Sequence, residues 1–161
     1  MPGENLNNIK EGMRMAQLKS LLAGRRLTFV SPDMNVTEVA RKMADAKIGA
    51  VVVLSDEKLL GIFTERDLLN RVVSVGKDPG KVKVSEVMTT NVCVCTADDS
   101  YEYCLAQMKQ ISCRHMPIVE GDKLLGILSM RDLLKYQVSI KESELKMMNS
   151  LYMYQPPNME I

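Results

Sequence analysis

A chain of 161 residues, 46% hydrophobic and 25% charged, fits one compact domain or two small ones that share a core. Its formal net charge of +1 argues against a dedicated nucleic-acid binder, whose phosphate-led affinity needs a concentrated basic surface. The longest purely apolar run, Ala50 to Leu54, is far below a membrane span, and Glu4, Lys10, Glu11 and Arg14 interrupt any signal-like pattern, so a cytoplasmic location is expected.

Asn5 to about Leu18 is predicted helical, with Leu6, Ile9, Met13 and Ala16 on one apolar stripe. A short segment, Lys19 to Ala23, leads into an extended piece, Leu27–Val30. Ser31-Pro32-Asp33 then suits a helix start, and Val36–Ala46 follows with Val36, Val39, Ala40 and Met43 on one face. Gly49–Leu54 is continuous and β-branched, hence a buried strand. The turn Ser55–Lys58 returns the chain as Leu59–Phe63, and a helix runs from Glu65 to about Val73. A turn-rich connector, residues 76–80, precedes a short helical entry at Val84 to Met88.

The whole order then recurs. KLLGIFTERDLL at 58–69 returns as KLLGILSMRDLL at 123–134, nine of twelve positions identical where unrelated segments share roughly one. The offset of 65 aligns Arg26–Ser74 with Asn91–Ser139 without a gap. Val92–Cys95, Tyr101–Ile111, the turn Glu120–Lys123 and Met130 to about Val138 are the second set, with Tyr101, Cys104, Leu105 and Met108 as the helix face. Lys141 to about Tyr152 reads as a further helix with Leu145, Met148 and Tyr152 in line, and Gln155–Ile161 as a loose tail. The fold class is therefore α/β (α+β): two β-α-β-β-α units, each too small alone, packed sheet to sheet with pseudo-twofold symmetry and flanked by terminal helices. The expected division is 1–18, 19–75, 83–139 and 140–161.

All four cysteines (Cys93, Cys95, Cys104, Cys113) fall in the second copy. In register, Cys95 replaces Val30, Cys104 replaces Val39 and Cys113 replaces Ile48, so they read as small buried hydrophobes. A zinc site would prefer CxxC pairs, which are absent.

Each copy also carries a polar corner: Gly61, Thr64 and Asp67 in one, Gly126, Ser129 and Asp132 in the other. A hydroxyl with an acid three residues later approximates a capping box. Both copies, however, keep Asp rather than Glu or Gln, and both place an arginine (Arg66, Arg131) just before it. A hydroxyl at a helix start, a carboxylate one turn on and a bidentate arginine together suit a ribose phosphate.

These residues resemble a known family. Residues 19–139 look like a tandem pair of CBS domains, a Bateman module: GIFTERD and GILSMRD match its nucleotide signature, CRHMPIV at 113–119 resembles its strand entry, and VSEVMT at 84–89 is similar to the segment introducing its second domain. The resemblance implies a binding module rather than an enzyme, with clefts between the domains for an adenosine ligand such as AMP, ADP, ATP or NAD, and no required cofactor or metal. It implies that Asp67 and Asp132 hold ribose, that Thr64, Ser129, Arg66 and Arg131 hold phosphate, and that Ile48, Gly49, Ala50, Cys113, Arg114 and His115 contact adenine. Ser31 and Thr96 are further candidates, whereas Arg71 and Lys135 read as solvated helix positions. Because Gly49-Ala50 stands where Arg114-His115 stands, two unequal sites are expected.

The resemblance further implies a homodimer, with the terminal helices as candidates for an added interface, and an unidentified effector protein that reads ligand-driven rearrangement. The alternative is an interaction protein with vestigial sites, for which the resemblance implies a redox partner such as thioredoxin. An enzyme has least support, with one histidine, no nucleophile–base pair and no phosphate loop.

Overall fold

Period-two apolar runs and amphipathic helices alternate along this chain, and each becomes the element its spacing demands. The computed structural model describes residues 18–153. The N-terminal stripe of Leu6, Ile9, Met13 and Ala16 and the tail Gln155–Ile161 lie outside the described residues.

The first unit contains β1 (Phe29–Val30), α2 (Val36–Ala46), β2 (Ala50–Ser55), β3 (Lys58–Thr64) and α3 (Glu65–Leu68), preceded by a one-turn helix α1 (Leu18–Leu21). The second contains β4 (Cys95–Thr96), α4 (Tyr101–Gln110), β5 (His115–Glu120), β6 (Lys123–Ser129) and α5 (Met130–Met153). Each unit has a three-stranded mixed sheet: β1 runs parallel to β2, which is antiparallel to β3, and β4-β5-β6 repeats this. The hairpins share one register, with Ala50 opposite Thr64 and His115 opposite Ser129, and one irregularity, after Val53 and after Ile118.

The helix caps differ from expectation. Asn35, not Ser31 or Asp33, caps α2 in a reciprocal box with Glu38, and Ser100 caps α4 by accepting from the Tyr103 amide. The side chain must sit one residue before the first helical amide, and these two do. The helix expected over Glu65 to Val73 is one α turn followed by a π-helical turn at Leu69–Val73, where the Ser74 amide donates to Leu69 O at 2.9 Å.

The second copy does not stop at Val138. α5 continues for 24 residues and absorbs the helix predicted separately at Lys141 to Tyr152. The cause is one residue: Gly76, at φ +69°, turns the first copy out of its helix, and 65 positions later stands Lys141. Only Leu133 of α5 is fully buried.

Two apolar clusters form the interior, and each borrows from the other half. Val84 and Val87, in the segment entering copy two, are buried in the first cluster among Val30, Phe63 and Val72. Leu18, entering copy one, is buried in the second cluster among Cys95, Cys104 and Leu133. The Leu18 and Lys19 amides donate to Asp99 O and Ala97 O, and Lys19 Nζ meets Glu120 Oε1 at 2.7 Å. The entry segments are thus exchanged across the pseudo-twofold axis.

This exchange accounts for the signature glycines. Ile62 and Thr89 exchange backbone hydrogen bonds of 3.0 and 2.9 Å, so the entry strand lies directly on β3. A Cβ at Gly61 would sit 2.7 Å from Thr89 O and 2.6 Å from Met88 Sδ. At Gly126 the nearest atom would be Leu22 Cδ2, at 2.8 Å.

Candidate functional site

The hairpin register places each strand entry beside the hydroxyl of its own signature. The entry carbonyls Gly49 O and Arg114 O accept from the Glu65 and Met130 amides at 3.0 and 2.8 Å. Thr64 and Ser129 therefore face the same corner as residues 48–50 and 113–115.

The capping box exists in both copies, and aspartate serves it with one oxygen only. Asp67 Oδ2 accepts from the Thr64 amide and hydroxyl at 2.9 and 2.8 Å, and Asp132 Oδ2 from those of Ser129 at 2.7 and 2.6 Å. The Asp67 and Asp132 amides return the bond to the hydroxyls at 3.2 Å. Oδ1 is left over, and the copies spend it differently. Asp67 is 8% exposed, and its Oδ1 faces Thr89 Oγ1 and Arg71 Nε, both at 3.5 Å. Asp132 Oδ1 accepts from Arg25 Nη2 at 3.0 Å. Burial pushes the Asp132 carboxyl up, but the bonds from Arg25 and Ser129 and the Arg25 charge prevail and hold it at about 2.

Asp132 opens onto a cleft of about 1370 Å³ between the two units. From the second unit come Arg114, His115, Ser129, Arg131 and Asp132; from the first come Ile48, Gly49 and Ala50. Strand entries of both copies thus reach one cleft. Arg25, Lys47, Arg114, Arg131 and Lys135 supply cations there, against Glu65 and Asp132, so the cleft is far more basic than a chain of net charge +1. Ala40, Met43 and Ile127 give it an apolar wall.

Other expected residues lie elsewhere. Thr64, Arg66, Asp67 and Cys113 do not line this cleft, and neither do Ser31 and Thr96, which are exposed; the Thr96 amide donates to Asp99. Cys113 packs against the second core. One expectation is corrected. Lys135 is an exposed helix position at the cleft, whereas Arg71 Nη1 donates to Val87 O and Met88 O at 3.0 and 2.9 Å, tying the entry segment to the π-helical turn. Arg25 and Lys47 carried no signal in the sequence because they lie outside the repeated motif, and Glu65 lies within it at a position where the second copy has Met130.

His115 lines the cleft half-buried, and burial pushes its ring down despite the opposing charges of Glu65 and Asp132. At its neighbour Gly49 a side chain would crowd the Glu65 carboxylate and the His115 ring, which would have to give by a few tenths of an ångström. A Cβ there would lie 3.1 Å from Glu65 Oε2 and 3.4 Å from His115 Cε1. Cys95 and Cys104 are buried, and their mutual hydrogen bond, with burial, pushes the Cys104 thiol up. Cys93 is exposed. Among the described residues no three or more His, Cys, Asp or Glu side chains gather as a metal site, and no helix is long and apolar enough to cross a membrane.

The family model for the CBS domain matches residues 19–74 and 84–139. The chain belongs to the CBS-domain family. The CBS domain-containing protein YhcV of Bacillus subtilis is 34% identical over 125 residues, which are 78% of this chain and 88% of YhcV. Protein MK0525 of Methanopyrus kandleri is 35% identical over 130 residues, and the chain spans 66% of its length. The crystal structure of the CBS domain NE2398 superposes with a TM-score of 0.73 at 35% identity, covering 77% of this chain and 99% of that one. The hexameric CBS-CP12 protein from bloom-forming cyanobacteria is similar at 25% identity and a TM-score of 0.68, covering 74% of this chain and 71% of that one. Two CBS domains, formed by an internal repeat, are thus the architecture, and CBS pairs are in general regulatory.

Proposed function

We propose that this CBS pair is a sensor of adenosine nucleotides, with the Asp132 cleft as its principal site. The observation that carries the reading is the cleft's division of labour. Asp132 keeps Oδ2 for its helix start and holds Oδ1 on Arg25 at the cleft, where cations outnumber carboxylates beside an apolar wall. A ribose diol takes the carboxylate, phosphates take Arg114, Arg131 and Lys135, and a flat base takes the apolar side. The reading is adenosine-directed through the family resemblance, and AMP, ADP, ATP and NAD are the ligands to try. The Asp67 corner is the lesser site, because Asp67 is buried and does not line the cleft.

A thermal-shift panel of AMP, ADP, ATP, NAD and S-adenosylmethionine tests this. A ligand at 100 times its dissociation constant stabilises by about 2.7 kcal/mol, a shift of roughly 5–10 °C in a chain this size. Asp132→Ala should weaken binding at least tenfold, since a charge-assisted bond contributes about 1.5–3 kcal/mol, and Asp67→Ala much less. A flat panel, or equal loss in both variants, refutes the assignment.

Signal output through a second copy fits the same structure. Beyond the cleft, whose lining includes Leu134 and Val138, α5 leaves Leu145, Met148 and Tyr152 exposed at spacings of three and four. That is the seam of a two-helix coil, and an identical seam on another copy is self-complementary. Ligand can then act only through different affinities for two arrangements of the pair. The cytoplasm is the setting this reading takes. The redox alternative rests on the one exposed thiol, Cys93; retained partner capture by a Cys93→Ser variant refutes it.

A further inference from the structure

Arg25 sits in the loop between α1 and β1, outside the repeated motif, with its amide bonded to Leu22 O. Its guanidinium is 45% exposed, yet it holds Asp132 Oδ1 at 3.0 Å. Beside the main cleft lies a second cavity of about 860 Å³, walled by Leu22, Leu27, Thr28 and Phe29. The two cavities share Arg25, Ile48, Ala50 and Ile127, so the Arg25–Asp132 pair crosses the seam between them. Both chambers carry cations, the second Arg26 and Lys42 beside Asp45, so a nucleotide occupying both must pass this bar.

The Asp132 oxygens make the competition direct. Oδ2 is taken by the Ser129 amide and hydroxyl, and Oδ1 is taken by Arg25. A vicinal diol that seeks this carboxylate must displace the guanidinium from Oδ1. We infer that Arg25 is a latch on the Asp132 cleft that must release for a nucleotide to bind and then pairs with its phosphate, making phosphorylated nucleosides the preferred ligands over neutral ones. This deepens the nucleotide-sensor reading and rests on it.

The physical argument is an exchange of partners. A neutral nucleoside breaks the Arg25–Asp132 pair and returns nothing to the freed guanidinium. A nucleotide breaks the same pair but supplies a phosphate, for which a planar bidentate fork is well suited. The first copy has no such latch: 65 positions after Arg25 stands Thr90, and Asp67 is served by Thr89 and Arg71 instead. The latch therefore separates the two copies more sharply than the Gly49-Ala50 and Arg114-His115 difference does.

The test is calorimetric titration of adenosine, AMP and ATP into wild type, Arg25→Gln and Arg25→Lys. In Arg25→Gln, adenosine should bind about three- to fivefold tighter, the worth of a half-exposed ion pair. AMP should bind more weakly, so the AMP-to-adenosine preference falls at least tenfold, and Arg25→Lys should keep part of it. Independently of ligand, the Asp132 carboxyl followed by NMR should titrate above its wild-type value of about 2 in Arg25→Gln. An unchanged AMP-to-adenosine ratio with AMP still bound overturns the latch and leaves the sensor reading standing. Absence of binding by all three compounds to wild type overturns both.

Discussion

Replacing either signature glycine with alanine adds one carbon, but the two replacements meet different neighbours. At Gly61 the new Cβ would stand 2.7 Å from Thr89 O, a backbone atom fixed by the paired Ile62–Thr89 hydrogen bonds. Relief requires moving the entry strand, which strains two bonds of about 1 kcal/mol each on top of the usual cost of overpacking, about 1–3 kcal/mol. Gly61→Ala should therefore cost about 2–3 kcal/mol, or roughly 4–12 °C in Tm. At Gly126 the obstacle is Leu22 Cδ2, the end of a side chain that can rotate, so the cost should be about 1 kcal/mol or less. Urea and thermal unfolding followed by circular dichroism measure both. The Met88→Ala change should not rescue Gly61→Ala, because it removes the 2.6 Å contact with Sδ but not the one with the carbonyl. Equal losses at the two glycines, or rescue by Met88→Ala, would refute the exchanged-strand explanation.

Stability should fall in two separate acid steps. His115 is held below its ordinary 6.5, so its contribution is complete above that pH and declines as pH falls below it; His115→Asn should flatten this limb. Asp132, held at about 2 against an ordinary 3.8, contributes above pH 3.8 and loses that contribution as pH falls towards 2, a limb Asp132→Asn should erase. Cys95→Val with Cys104→Val restores the residues of the first copy at buried positions, and should change stability by less than about 1.5 kcal/mol in chemical denaturation. Leu145→Glu with Met148→Glu should halve the mass seen by light scattering without lowering nucleotide affinity, if the α5 seam joins two copies; an unchanged mass refutes that seam.

Local pattern was enough to read the repeat, the order of its strands and helices, the buried helix faces and the capping of α3. In each case the information lies within a few residues: β-branched runs for β2, three- and four-residue spacings for α2 and α4, a hydroxyl followed by Asp for the turn after β3. Three features depended on contacts that local pattern does not encode. Val84 and Leu18 are apolar residues beside turns, and nothing near them in the chain says which core they fill. Arg25 reaches a carboxylate 107 residues away. The length of α5 was legible in principle, since Lys141 replaces the glycine that ends the first copy's helix, but the repeat itself suggested a boundary there.

The exchanged entry segments also set the order in which this protein can become itself during synthesis. Leu18 leaves the ribosome long before Cys104 and Leu133 exist, so an apolar anchor made early is among the last to find its seat. The first unit in turn stays open until Val84 and Val87 have been made, and these belong to the introduction of the second. The first interior can therefore close only once Val87 has been made, when the second copy has barely begun. The second interior waits for Leu133, and Leu18 waits with it.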